Sequence, residues 1–324
     1  MTAALEVLNN PALVVSAGAA AVSVLPAFEQ ACLSGRIPWS VLKTSNALLF
    51  LLNLVATSRT GRLDGESTNL SKLPNPRVRP LVFPAGWAFA IWGPIFAGEL
   101  MSSVGALFVK SRSRTALSLS KVWPAFMVAQ ICQILWTAAF RKKYMANTST
   151  AFIAPLFLTM TAYALSRAHR AYSLSRPLSA GAYLLFGLPL SLHFGWMCAA
   201  SLLNWNGSVY AVLFRNPRKK KEHEALAVAI LRWLGHGSAI LASVLGLICT
   251  FARQAPLFGA VISWALFACA DTLQKWSVDK KLTVQKKDID LQFQLCRLGA
   301  ILSMVASVFT SGTVTANSLH AASP

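Results

Sequence analysis

The chain has 324 residues, of which 55% are hydrophobic and only 13% charged, with a mean hydropathy of +0.52. A soluble domain carries roughly a quarter charged residues, so this composition excludes an ordinary soluble protein. The net charge of +19 does not make the chain a nucleic-acid binder: its 30 Lys and Arg residues lie mostly in short loops between apolar runs, and no basic, aromatic-interleaved soluble module is present.

A bilayer-crossing helix needs roughly 17 to 25 predominantly apolar residues. Eight stretches qualify, near residues 40–57, 86–109, 122–140, 150–167, 178–206, 225–251, 257–275 and 291–313. None alternates in polarity as a β-barrel strand would. The expected fold is therefore all-α, a polytopic transmembrane helix bundle. With eight spans, one side carries 10 basic residues and the other, which includes loop 58–80, carries 18. The positive-inside rule places the second side in the cytoplasm.

Residues 1–38 hold one apolar run, Pro11 to Leu25, between Glu6 and Glu29. It lacks the basic start of a signal peptide and the Arg-rich, acid-poor character of a transit peptide. A ninth span, a surface helix and a weak targeting segment all remain open for it. The first span carries Asn46 and Asn53 on one face, and buried amides in lipid bind neighbouring helices. A polar connection of 28 residues, 58–85, follows and is the longest in the chain. Such a loop serves as a lid or as a linker.

Residues 83–101 open the second span with a Pro84-Ala85-Gly86 turn and the aromatics Trp87, Phe89, Trp92 and Phe96. Trp92 and Phe96 lie four apart on one helical face, with Phe89 three before Trp92. An interfacial aromatic belt and the wall of a ligand pocket both fit this pattern. The third span holds Gln130, Gln133 and Trp136 at steps of three, suited to a pocket or to a helix contact. The fourth begins near Pro155 and ends in Arg167, His169 and Arg170. The fifth carries His193, Trp196 and Asn204, a Pro189 that kinks it, and a small-residue ridge of Gly187, Ser191, Gly195 and Ala199.

The last three spans contain Arg232 and His236, Asp271, and Arg297. A charge at the bilayer centre costs at least about 2.5 kcal/mol, so such groups pair, snorkel or line a path. Glu99 sits in mid-span with no basic residue nearby in sequence, and is expected to be protonated or to contact a helix outside the first five. Gly299, Ser303 and Ser307 form another close-packing ridge. The six cysteines all fall in apolar runs with no Cys-x-x-Cys pair, which favours packing over a disulfide framework or zinc site.

Three of these stretches together resemble the tryptophan-rich sensory protein family, the TspO or translocator-protein group. That family reads Pro-Pro-Gly-Trp-x-Phe-x-x-x-Trp-x-x-x-Tyr into its second helix. Here Pro84, Gly86, Trp87, Phe89 and Trp92 match, while Ala85 and Phe96 depart. The third-helix pattern Asn-x-x-Trp-x-x-x-Phe is met by Trp136 and Phe140, with Gln133 for Asn. In the fifth helix Trp196, Ala200 and Asn204 match, and Leu192 and His193 replace a Pro-Tyr pair. The resemblance covers residues 40–206. It implies a five-helix bundle around a pocket for a tetrapyrrole, a sterol-like lipid or a synthetic ligand, lidded by the loop after the first helix. The strict cholesterol motif fails because Val209 abuts Tyr210, whereas Arg170, Tyr172 and Leu174 fit its reversed form.

The resulting division is an N-terminal segment, 1–38, a TspO-like membrane domain, 39–214, and a three-helix extension, 215–324. The expected ligand site comprises Trp87, Phe89, Trp92, Phe96, Gln133, Trp136, His193, Trp196 and Asn204. The residues establish no cofactor; the resemblance supplies a porphyrin or haem as candidate ligand. Expected partners are membrane lipids, including anionic headgroups at the basic loop 215–221, a hydrophobic small molecule, and a second copy or a membrane complex packed on the small-residue ridges. Binding, with transport or sensing, of a flat apolar ligand is the leading function. An ion-coupled transporter fits Glu99, Asp271 and the intramembrane Arg residues, and a structural subunit fits the extra helices. No metal-ligand spacing, phosphate loop or nucleophile–base arrangement supports an enzyme, although the resemblance leaves porphyrin-dependent chemistry open.

Overall fold

A computed structural model describes residues 10–58, 78–175, 179–215 and 220–320, without the side chains of 220–222, 283–284 and 313–320. The described residues form helices and no strands. Most of the 58–85 connection, the centre of the basic loop 215–221 and Arg176 lie outside the described residues, so the lid and the cytoplasmic assignment stay expectations. The chain divides into two compact units.

The first unit takes the described residues up to 58 together with 92–197. It holds α1 (Pro11–Ser23), α2 (Leu25–Leu33), α3 (Trp39–Thr57), α4 (Trp92–Leu107), α5 (Arg114–Ala139), the short α6 (Lys142–Met145), α7 (Ile153–Leu174), the single turn α8 (Ala180–Ala182) and the start of α9 (Leu188–Leu213). Asn10 caps α1, accepting from the amides of Ala12 and Leu13, and Ser113 caps α5 through the amide of Ala116. The central helix is α5, buried along nearly its whole apolar length and packed by α1, α2, α3 and α7. The ends of α3 and α4 meet: Trp39 Nε1 donates to Val109 O and Lys43 Nζ to Leu107 O. Trp39 also stacks on Trp123.

Pro189 shapes the approach of α9 to α4. Its missing N–H cannot serve the carbonyl of Leu185, four residues back, and the preceding turn, Tyr183–Gly187, widens to a π-helix. Ser102 Oγ on α4 donates to that carbonyl instead. The ridge read from sequence meets α7, since Gly187 lies under the Tyr172 ring and Ser191 Oγ is 3.1 Å from His169 Nε2.

The second unit takes described residues from 78–91 and from 198 onward. Its frame is α10 (Lys220–Ala252), α11 (Pro256–Ser277) and α12 (Lys286–His320). Small residues set the spacing: Gly299 faces Ser243, Gly246 faces Ser303, and Ser263 Oγ donates to Ala300 O at 2.8 Å. Residues 78–91 lie along this frame. Gln285 clasps Arg79, accepting from its amide at 2.9 Å and donating to its carbonyl at 3.2 Å. The Ala85 amide donates to Ala268 O, and Trp264 Nε1 donates to Ala88 O across the 3₁₀ turn Gly86–Ile91.

Eight described helices are long and apolar enough to cross a membrane. Seven coincide with expected spans. The other is Pro11–Leu33, which the sequence left open. It is broken at Val24, packs on α5, and is tied to α7 by a two-pronged bridge from Arg167 to Glu29 at 2.6 and 3.1 Å. The expected span 150–167 becomes α7, which has 22 residues, enough for about 33 Å, but the polar run around Arg167, His169 and Arg170 takes it out of the apolar class.

Candidate functional site

In the first unit, four helices project polar side chains into one buried cluster. Glu99 of α4 and His193 of α9 are almost completely buried, with Glu99 Oε1 2.5 Å from His193 Nδ1. The other Glu99 oxygen accepts from Gln130 Nε2 of α5 at 3.5 Å. Asn53 of α3 donates to Gln130 Oε1 and, at 2.9 Å, to Gln133 Oε1. Asn53 thus makes the interhelical contact its position suggested, whereas Asn46 is buried with no partner for its Oδ1 among the described residues. The expectation that Glu99 would reach a helix outside the first five is corrected. Its partner lies within them, 94 residues away in sequence, where no local spacing could show it.

Aromatic rings border the cluster. Trp92 stacks on Phe96 with centroids 4.9 Å apart, and meets His193 edge-on at 5.8 Å and Trp196 edge-on at 6.3 Å. Phe126 of α5 meets the imidazole edge-on at 6.4 Å. These contacts arise because Trp92, Phe96 and Glu99 lie on successive turns of one α4 face, and His193 and Trp196 on one α9 face. The result is a carboxylate–imidazole pair inside an aromatic collar. The rings enclose the pair in an apolar surround, and the pair offers exchangeable hydrogen bonds.

Of the expected site residues, Trp92, Phe96, His193 and Trp196 come together here. Gln133 joins through Asn53, and Trp136 stacks on Phe140 at 5.1 Å. Trp87, Phe89 and Asn204 belong to the second unit. There Trp87 Nε1 donates to Asp271 Oδ2 at 3.0 Å and its ring meets Trp264 edge-on at 4.7 Å. Phe89 is exposed, and Asn204 donates to Ala200 O. Sequence reasoning did not assign Glu99, Gln130 or Phe126 to the site. The available signal was that two mid-span ionisable groups, Glu99 and His193, each needed a partner.

The second unit holds its own polar contacts. His236 Nδ1 lies 2.6 Å from Gln292 Oε1, and Gln292 Nε2 donates to Gly235 O. Asp271 is bridged by Lys275 at 3.1 Å, and Arg232 and Arg297 lie over the rings of Trp233 and Phe293.

Apolar helices of spanning length around a buried polar cluster define a multi-pass integral membrane protein of the helical-bundle class. Residues 42–285 match the family model of the TSPO-like proteins, and the chain belongs to that family. The match runs well past Arg215, so it takes in α10 and α11, which the motif resemblance did not reach. Comparison with the curated proteins and with the solved structures finds no match.

Proposed function

We propose that the first unit binds a flat, largely apolar ligand, a tetrapyrrole or sterol-like lipid, within the bilayer, as the core of a binding or transport function. The observation that carries this reading is Trp92, which stacks on Phe96 and meets both His193 and Trp196 edge-on. Indole faces give a planar ligand large contact area at low conformational cost, and a buried imidazole supplies one directional polar contact. Membership of the TSPO-like family supports the ligand class. In this reading the protein is a binder and carrier rather than an enzyme.

The test is titration of the purified full chain, in lipid nanodiscs, with protoporphyrin, haem and a sterol in separate experiments, followed by tryptophan fluorescence. Saturable quenching or enhancement by at least one of them is expected. A structural subunit gives only a linear, non-saturating response to all three, and that result would sink the reading.

A further inference from the structure

We infer that Glu99 and His193 form a proton-binding site inside the membrane domain, with the exchangeable proton carried on His193 Nε2. Both residues are almost completely buried, and Glu99 Oε1 lies within hydrogen-bonding distance of His193 Nδ1. A net charge here is expensive, because the surroundings are Trp92, Phe126 and uncharged amides. Two protonation states make the pair neutral overall. In one, the carboxylate faces an imidazolium; in the other, a carboxylic acid faces the neutral imidazole. These differ only in which side of the contact holds the proton between them. Both keep a proton on Nε2.

That nitrogen has no hydrogen-bond partner among the described residues, although it is completely buried. Nε2 is therefore the one nitrogen of the pair whose proton no described group accepts. Loss of that proton leaves the pair with one negative charge, compensated only by the long contact from Gln130. The amides behind Glu99 do not relay protons as carboxyls and imidazoles do. Gln130, Asn53 and Gln133 instead fix the carboxylate in place.

The helices packed around the pair carry other titratable groups that do not join it. On α3, Lys43 is engaged with Leu107 O; α5 carries Arg114 and Lys121 near its start and the Cys132 thiol in its interior. On α7, His169 contacts Ser191 and Ser173, Arg167 holds Glu29, and Arg170 sits one turn further on. Neither α4 nor the first-unit part of α9 carries another ionic side chain. None of these groups is hydrogen-bonded or ion-paired to Glu99 or His193 among the described residues.

The experiment needs no ligand, so its outcome is separate from that of the ligand reading. Full-length protein in nanodiscs is titrated with acid and base while proton uptake and the infrared carboxyl bands are recorded in H₂O and D₂O. Wild type, Glu99→Gln and His193→Tyr are compared. Wild type should exchange about one proton per chain more than either variant, since each variant removes one of the two groups that can hold a proton. It should also show a deuterium-sensitive carboxyl change that Glu99→Gln removes. His193→Tyr keeps a donor toward Glu99, so it tests the imidazole without stripping the carboxylate of its partner. Identical proton counts in all three would overturn the assignment. Should Glu99→Gln fail to fold, ¹⁵N-histidine spectra of the wild type decide: a pH-responsive Nε2 on the resonance absent from His193→Tyr supports the site, and an unresponsive one refutes it.

Discussion

Gly98 packs its bare Cα against the ring of Pro189, so close that a Cβ at Gly98 would stand 2.8 Å from Pro189 Cβ. One residue further along α4 is Glu99, and one turn further along α9 is His193. The close crossing therefore places the two ionisable groups within reach of each other. Gly98→Ala should destabilise the chain by about 1–3 kcal/mol through overpacking. Gly93→Ala, on the same helix with open space around its Cα, should be neutral or slightly stabilising. Thermal unfolding in detergent compares the two, and equal melting temperatures would refute the crossing as drawn.

Glu99 distinguishes polar contact from charge. Glu99→Gln retains groups that can meet His193 Nδ1 and Gln130 Nε2, whereas Glu99→Leu leaves both buried without a partner. Removing one member of a buried pair costs about 3–5 kcal/mol. The Leu variant should therefore unfold well before the Gln variant, and matching stabilities would show that the pair does not hold α4 to α9.

The sequence foretold the membrane class, because apolar length and basic loops are local properties that need no tertiary knowledge. It also revealed the aromatic face of Trp92 and Phe96, whose spacing survives as a stacked pair. It could not place Glu99, because hydrophobic periodicity does not show which of several buried polar groups meet across helices. Trp87 illustrates the same limit. Five residues before Trp92 and part of the same motif, it is held by Asp271, 184 residues away. The oddity of Asp271 in its span and the oddity of an exposed indole thus explain each other. Nothing in the spacing of either residue signals that.

The Trp87–Asp271 contact should be measurable on its own. Trp87→Phe keeps an aromatic ring beside Trp264 but loses the donor to the carboxylate. Because the indole is 43% exposed, the cost should be modest, about 0.5–1.5 kcal/mol. Asp271→Asn retains an acceptor and should cost less. A double variant destabilised by less than the sum of the two single variants would identify the groups as partners, while simple additivity would separate them.

The ligand reading predicts an ordered set of affinities. Trp92 touches Phe96, His193 and Trp196, so Trp92→Ala removes the ring on which the collar closes. Losing one stacking face is worth about 0.5–1.5 kcal/mol beyond contact area, and every 1.4 kcal/mol is tenfold, so binding should weaken on the order of tenfold. Trp136→Ala should also weaken binding, by less, because that ring is stacked on Phe140. His193→Ala should reduce affinity without abolishing it, and should leave a bound haem's Soret band in place if the imidazole acts as a hydrogen-bonding group rather than an axial ligand. With ten tryptophans in the chain, losing one dims the signal but leaves the midpoint of a titration readable. Unchanged midpoints in Trp92→Ala, Trp136→Ala and His193→Ala would move the ligand away from this collar, and a shifted Soret band in His193→Ala would make the imidazole a metal ligand.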